Sequence, residues 1–136
     1  MIYIFDACAM IAYLNNELGS DTINEMLKKA IDGDVEIYMN IINLIEVHYA
    51  NIRSLGKEQA SIILEKILAS PIQVISVISD KIFHEASRLK SAYTMSLGDS
   101  NGLSTALEFS GQFVSSDHHE LDVIAKNDPN LIFWFR

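Results

Sequence analysis

Four carboxylates stand apart from the other charges of this 136-residue chain. Asp6 is the only charged residue in the stretch Met1–Asn16. Counting His as neutral, Glu46 is the only one in Ile37–Ile52, Asp99 the only one in Ser91–Leu107, and Asp117 the only one in Phe109–His119. An acid inside a largely apolar stretch is drawn toward the interior on folding, and an unpaired carboxylate is costly to bury. No Lys or Arg lies close in sequence to Asp6, Asp99 or Asp117. A shared cation would satisfy all of them at once. Hard divalent ions such as Mg²⁺ and Mn²⁺ take oxygen ligands, and one or two carboxylates plus water suffice for each. Four carboxylates therefore suit one or two such ions.

The surrounding elements decide whether these acids can meet. Short β-rich runs alternate with longer helical ones. Strands are predicted at Ile2–Phe5, Val35–Met39, Gln73–Val77, Gln112–Ser115 and Leu131–Phe135. Helices are predicted at Ala7–Asn15, Thr22–Ile31, Ile41–Ser54, Lys57–Ala69, Lys81–Tyr93 (capped by Ser79), Leu97–Phe109 and His118–Ala125. This alternation implies an α/β fold whose mostly parallel sheet of about five strands is covered on both faces. Ligands of such sheets bind outside the carboxyl ends of the strands. Asp6 and Asp117 each follow a strand and belong on that rim, and Asp99 opens a helix. Glu46 lies within a helix. The stripe Ile41, Leu44, Ile45, His48, Ile52, Leu55 is expected to face the core, which puts Glu46 at its border.

Each acid has a simpler reading. Asp6 and Asp117 could cap helices, Ser96-Leu97-Gly98-Asp99 fits a capping box, and Glu46 could pair with Arg53. The case for a cation rests on the four together.

Composition narrows the class. One domain's worth of chain, 49% hydrophobic and 21% charged, is globular rather than disordered. No repeat or linker interrupts it, so residues 1–136 read as one domain. The single cysteine cannot form an internal disulfide, and the longest apolar run, Ala7–Leu14, is far short of the roughly 20 residues of a spanning helix. Both features point to a cytoplasmic protein with no membrane partner. The net charge of −8 argues against a bulk electrostatic nucleic-acid binder. It leaves room for an enzyme that meets nucleic acid through metal ions, because a cation reverses the local sign of an acidic pocket.

Four segments in order carry a resemblance that spans essentially the whole chain: YIFDACAMIAYL around Asp6, IINLIEVHYA around Glu46, SLGDSNGLSTAL around Asp99 and FVSSDHHEL around Asp117. Together they resemble a PIN domain of the VapC type, the ribonuclease toxins of toxin–antitoxin pairs. The resemblance implies a three-layer α/β/α sandwich. It also implies Mg²⁺- or Mn²⁺-dependent endonucleolytic cleavage of RNA, homodimerisation and a cognate antitoxin protein. Ser115, two residues before Asp117, matches a frequent hydroxyl position, and Ser96 and Ser100 are further polar candidates. Cys8 departs from the pattern, standing where the family often has Ser, Thr or Asn. A thiol is a poorer hydrogen-bond partner for a carboxylate.

On this reading Asp6 and Asp99 contact metal directly or through water. Glu46 and Asp117 complete the site, one of them orienting the attacking water. Two ions about 4 Å apart could serve both the attacking and the leaving oxygen of a phosphodiester. The alternatives are a PIN nuclease that processes RNA outside a toxin–antitoxin system, a phosphatase or receiver-like α/β domain, and a catalytically inactive metal-binding scaffold. Other residues read as structural. His118 and His119 match no zinc spacing, His48 and Cys8 belong to the core, Phe83 and Leu89 pack, and Arg53 and Lys57 are solvated unless they hold RNA phosphates.

Overall fold

The computed structural model describes all residues, Met1–Arg136. The elements follow in the order β1 (Ile2–Phe5), α1 (Ala7–Leu14), α2 (Ser20–Ile31), β2 (Glu36–Asn40), α3 (Ile41–Leu55), α4 (Lys57–Ala69), β3 (Ile72–Ile75), α5 (Asp80–Ala92), α6 (Leu97–Phe109), β4 (Gln112–Ser115), α7 (His118–Asn127) and β5 (Ile132–Trp134). Every predicted element is present. Boundaries differ by at most two residues: α2 begins at Ser20, α7 runs on to Asn127, and β2 and β3 are shifted by one or two residues. Strand ends are set by pairing across the sheet, here Ile37 with Ile72 through Asn40 with Ile75, and a single sequence does not reveal its partner.

The sheet is wholly parallel, in the order β3-β2-β1-β4-β5. The chain moves outward from β1 to β3, then crosses back to β4 and β5. Crossovers of parallel strands are right-handed, so reversing direction moves the connecting helices to the opposite face. Alternating strand residues follow this division. Phe5, Ile37, Met39 and Val114 enter one core with residues of α1–α4. Ile4, Phe113 and Ile132 enter a second core with Leu89 of α5, Leu103 and Ala106 of α6, and Leu121 and Ile124 of α7. The result is the α/β/α sandwich. No helix is long and apolar enough to cross a membrane.

Helix α6 is buried over nine consecutive residues, Gly98–Ala106. A helix enclosed on all sides needs small residues and self-satisfied hydroxyls. Ser104 Oγ donates to the Ser100 carbonyl at 2.6 Å and Thr105 Oγ1 to the Asn101 carbonyl at 2.7 Å. Gly102 lets α6 sit on the Phe113 ring, where a Cβ would lie 2.2 Å from Cε1.

The core face of α3 differs from expectation. Its buried residues are Asn43, Leu44, Val47 and Asn51, whereas Ile45 and Leu55 are each 52% exposed. Helical periodicity identifies an apolar row but not whether this chain covers it. Here α3 turns a partly polar face inward against α6. Phe83 is likewise exposed, while Leu89 is buried as expected.

Candidate metal centre

Chain direction across the sheet reverses between β1 and β4, and such a switch point opens a crevice at the strands' carboxyl ends. Asp6 and Asp117 stand there, each just beyond its strand. The backbone N–H of Asp6 continues the ladder by donating to the Val114 carbonyl at 3.1 Å. The cleft has a volume of about 320 Å³, and its walls include Asp6, Glu46, Asp99, Asp117, Cys8 and Ser96. Four acids separated by up to 111 positions in sequence thus line one opening.

Asp6 occupies the N-cap position of α1 without capping it. Its Oδ2 instead accepts a 2.6 Å hydrogen bond from Ser115 Oγ and a 3.1 Å hydrogen bond from Cys8 Sγ. Cys8 also accepts from the Ser116 N–H at 3.4 Å. The thiol is therefore a working member of a polar network rather than an apolar filler. Burial first, and then the Asp6 charge, push its pKa up to about 12, so it remains a donor at neutral pH.

The capping readings hold in part. Ser96 Oγ accepts from the Asp99 N–H at 3.0 Å, and Asp117 Oδ1 from the Glu120 N–H at 3.3 Å. Capping occupies one Asp117 oxygen and leaves the Asp99 carboxyl free. Asp99 is only 4% exposed, and its Oδ2 is buried without any hydrogen-bond donor. Glu46 forms no ion pair with Arg53, whose guanidinium lies 5.0 Å over the Tyr49 ring.

Glu120, a fifth acid, joins the group unannounced. One carboxylate oxygen from each of Asp99, Asp117 and Glu120 lies within 4.8 Å of the others. Glu120 Oε2 also accepts from the Ser96 N–H at 3.0 Å. Its position three residues after Asp117 on α7 was the available signal, because such spacing places side chains on one helix face. The neighbouring Asp122 and His119 obscured it by making the segment look like ordinary charged surface.

Crowded, partly buried acids resist ionisation. Burial raises the Asp6 carboxyl above its ordinary value against the pull of Ser115 and Cys8. Burial and then the Asp6 charge raise Glu46 to about 7. Burial raises Asp99, aided by the nearby Glu120 carboxylate, which is itself lowered by the contact. Acids that resist ionisation in this way mark where positive charge belongs. The oxygen-only acid set and the donorless Asp99 Oδ2 fit a hard divalent cation.

The remaining residues fall outside the cleft. His118 is stacked on Trp134 with ring centroids 3.8 Å apart and is paired with Asp122 at 3.0 Å. His119 is exposed. His48 is half-buried, with Nδ1 unpartnered. Ser100 Oγ turns back to the Leu97 carbonyl at 2.8 Å. A cavity of about 610 Å³ forms a separate and mainly apolar groove lined chiefly by residues of α1–α4.

Comparison with known proteins agrees with this architecture. The PIN domain family description matches residues 3–127; the chain belongs to the PIN domain family. Three solved structures share the fold. A chain of DNA-bound VapBC from Salmonella typhimurium superposes with a TM-score of 0.74 at 13% identity, covering 100% of this chain and 99% of that one. One from a Klebsiella pneumoniae toxin–antitoxin complex gives 0.72 at 15% identity, with 98% of each chain covered. One from Rickettsia felis VapBC2 bound to a promoter DNA fragment gives 0.71 at 21% identity, with 98% of each covered. No curated protein sequence matches significantly.

Proposed function

We propose that this chain is a Mg²⁺- or Mn²⁺-dependent endoribonuclease of the VapC type, the cytoplasmic toxin of a toxin–antitoxin pair, with residues 1–136 forming a single nuclease domain. Membership of the PIN family supports nuclease chemistry. The observation that carries the reading is the buried, donorless Asp99 Oδ2 amid Asp6, Asp117 and Glu120 at the switch point of the sheet.

Asp6, Glu46, Asp99, Asp117 and Glu120 would together hold the cation. When bound, a divalent ion acidifies a coordinated water and neutralises charge developing on the scissile phosphate. The chain's own side chains do the positioning. Ser115 and Cys8 fix one oxygen of Asp6 and leave the other free, and Ser96 fixes the helix turn that presents Asp99. Glu46, on the α3 wall of the cleft, orients the attacking water.

Partners follow from the same reading. The structural likeness to chains of VapBC and toxin–antitoxin complexes supports a cognate antitoxin protein, and the apolar groove of α1–α4 supplies a surface for it. The exposed row Ile45, Tyr49 and Ile52 on α3 supports a homodimer, because contiguous apolar surface marks interaction sites.

The direct test incubates purified protein with total cellular RNA and Mg²⁺ or Mn²⁺, then maps new RNA ends, with Asp6→Asn as control. Discrete ends are expected for the wild type only, and none in excess EDTA. Intact RNA in every lane, or equal cleavage by Asp6→Asn, contradicts the proposal.

A further inference from the structure

Helices α3 and α6 run past each other in opposite directions. From the N-cap Asn40 into α3, Asn43 and Glu46 follow at intervals of three residues, so successive side chains are neighbours on the side toward α6. Asn40 Nδ2 donates to Thr105 Oγ1 at 3.0 Å, near the far end of α6. Asn43 Nδ2 donates to the Gly98 carbonyl at 3.1 Å and, more weakly, to Glu46 Oε1 at 3.5 Å. The Glu46 carboxylate lies directly against Gly98. A Cβ at position 98 would be 1.8 Å from Oε1 and 2.7 Å from Cδ. Asn43 is 0% exposed, and its Oδ1 has no partner. Buried polar groups are normally satisfied, so packing alone does not account for an amide here.

We infer that Asn43 and Gly98 are positioning residues for Glu46. Asn43 ties the first turn of α6 to α3 and orients the carboxylate, while the missing side chain at position 98 leaves the space in which that carboxylate rests, one residue from Asp99. The inference rests on the reading that Glu46 belongs to the cation site. Its consequence is that the second acid is placed by the register of two helices and not by its own helix alone.

Gly98→Ala separates placement from folding. Alanine is a better helix former than glycine, and its methyl group meets only the far end of a flexible side chain, so the helix persists while Glu46 is displaced. Mn²⁺ affinity, read from free-ion electron paramagnetic resonance, is measured for wild type, Glu46→Ala, Gly98→Ala, Asn43→Ala and the two double variants carrying Glu46→Ala. Metal-free thermal midpoints are recorded alongside. Removing a group that orients a ligand typically weakens metal affinity about 10- to 100-fold. A loss in that range is expected for Gly98→Ala without a lowered midpoint, with no further loss when Gly98→Ala is added to Glu46→Ala. Asn43→Ala should behave alike; should it fail to fold, Gly98→Ala decides alone.

Wild-type affinity in Gly98→Ala beside a weakened Glu46→Ala overturns the positioning role and leaves the site reading intact. An equal further loss in the Glu46→Ala background also overturns it, because the effect would then not pass through Glu46. Unchanged affinity in Glu46→Ala, or no Mn²⁺ binding by the wild type, removes Glu46 from the site and the inference with it.

Discussion

Ser115 Oγ donates a 2.6 Å hydrogen bond to Asp6 Oδ2, joining the carboxyl ends of two adjacent parallel strands. Ser115 is fully buried, and Oγ also accepts from the Asp117 N–H at 3.1 Å. One hydroxyl thus orients the first acid and the backbone of the fourth. A charge-assisted hydrogen bond of this length is among the stronger polar contacts available. It also restrains the carboxylate before any ion arrives.

Removing that restraint should slow catalysis more than it harms the fold. Ser115→Ala is expected to reduce RNA cleavage about 10-fold or more at fixed Mn²⁺, the scale of lost support around a metal ligand. Cys8→Ser keeps a donor beside Asp6 and should stay near wild type, whereas Cys8→Ala should show a smaller loss than Ser115→Ala. Single-turnover rates decide this. Wild-type rates in both Ser115→Ala and Cys8→Ala would show that Asp6 needs neither partner.

The acidic centre also sets a pH dependence on the metal-free protein. A carboxyl raised in the folded state keeps a proton that the unfolded chain loses. For Glu46 the window runs from its ordinary 4.5 up to about 7, so stability falls as pH rises through it. Asp99 and Asp6, also raised, act in the same direction, and so does exposed His118 above its ordinary 6.5. Glu17, Glu85 and Glu120 are lowered and act only below 4.5. Metal-free melting temperature should therefore fall as pH rises from about 4.5 toward 7. Glu46→Gln should flatten the slope, and Mn²⁺ should raise the melting temperature most at the upper end. An identical slope in Glu46→Gln would show that this carboxyl is not raised.

Fold stability hinges on the tight seat of α6. Gly102→Ala would drive a methyl group into the Phe113 ring, a fully buried aromatic side chain. Overpacking of this kind costs about 1–3 kcal/mol, outweighing alanine's better helix propensity. Denaturant melts should show that loss; a stability gain would mean that Phe113 can move aside.

The parallel sheet and its helices were legible because βαβ alternation is written locally, in short β-rich runs and capped helices. The convergence of Asp6, Glu46, Asp99 and Asp117 was legible because each is a lone charge in apolar sequence. The face of α3 was not. Its apolar row has the spacing of a core face, yet Asn43 and Asn51 point inward, since periodicity cannot say which surface the same chain covers. Glu120 stayed hidden among neighbouring charges, and Asn43 and Gly98 stayed hidden because their partners are set by how two distant helices cross. The residue type of Cys8 suggests a small buried hydrophobe, whereas its role depends on its proximity to Asp6 and Ser116.

The central claim is that separated acids jointly hold a hard cation. Anomalous diffraction from crystals soaked in Mn²⁺ tests it most directly. A Mn²⁺ peak is predicted in the cleft among Asp6, Asp99, Asp117 and Glu120, and it should vanish in Asp99→Asn. No peak there, or one that persists unchanged in Asp99→Asn, would contradict the account.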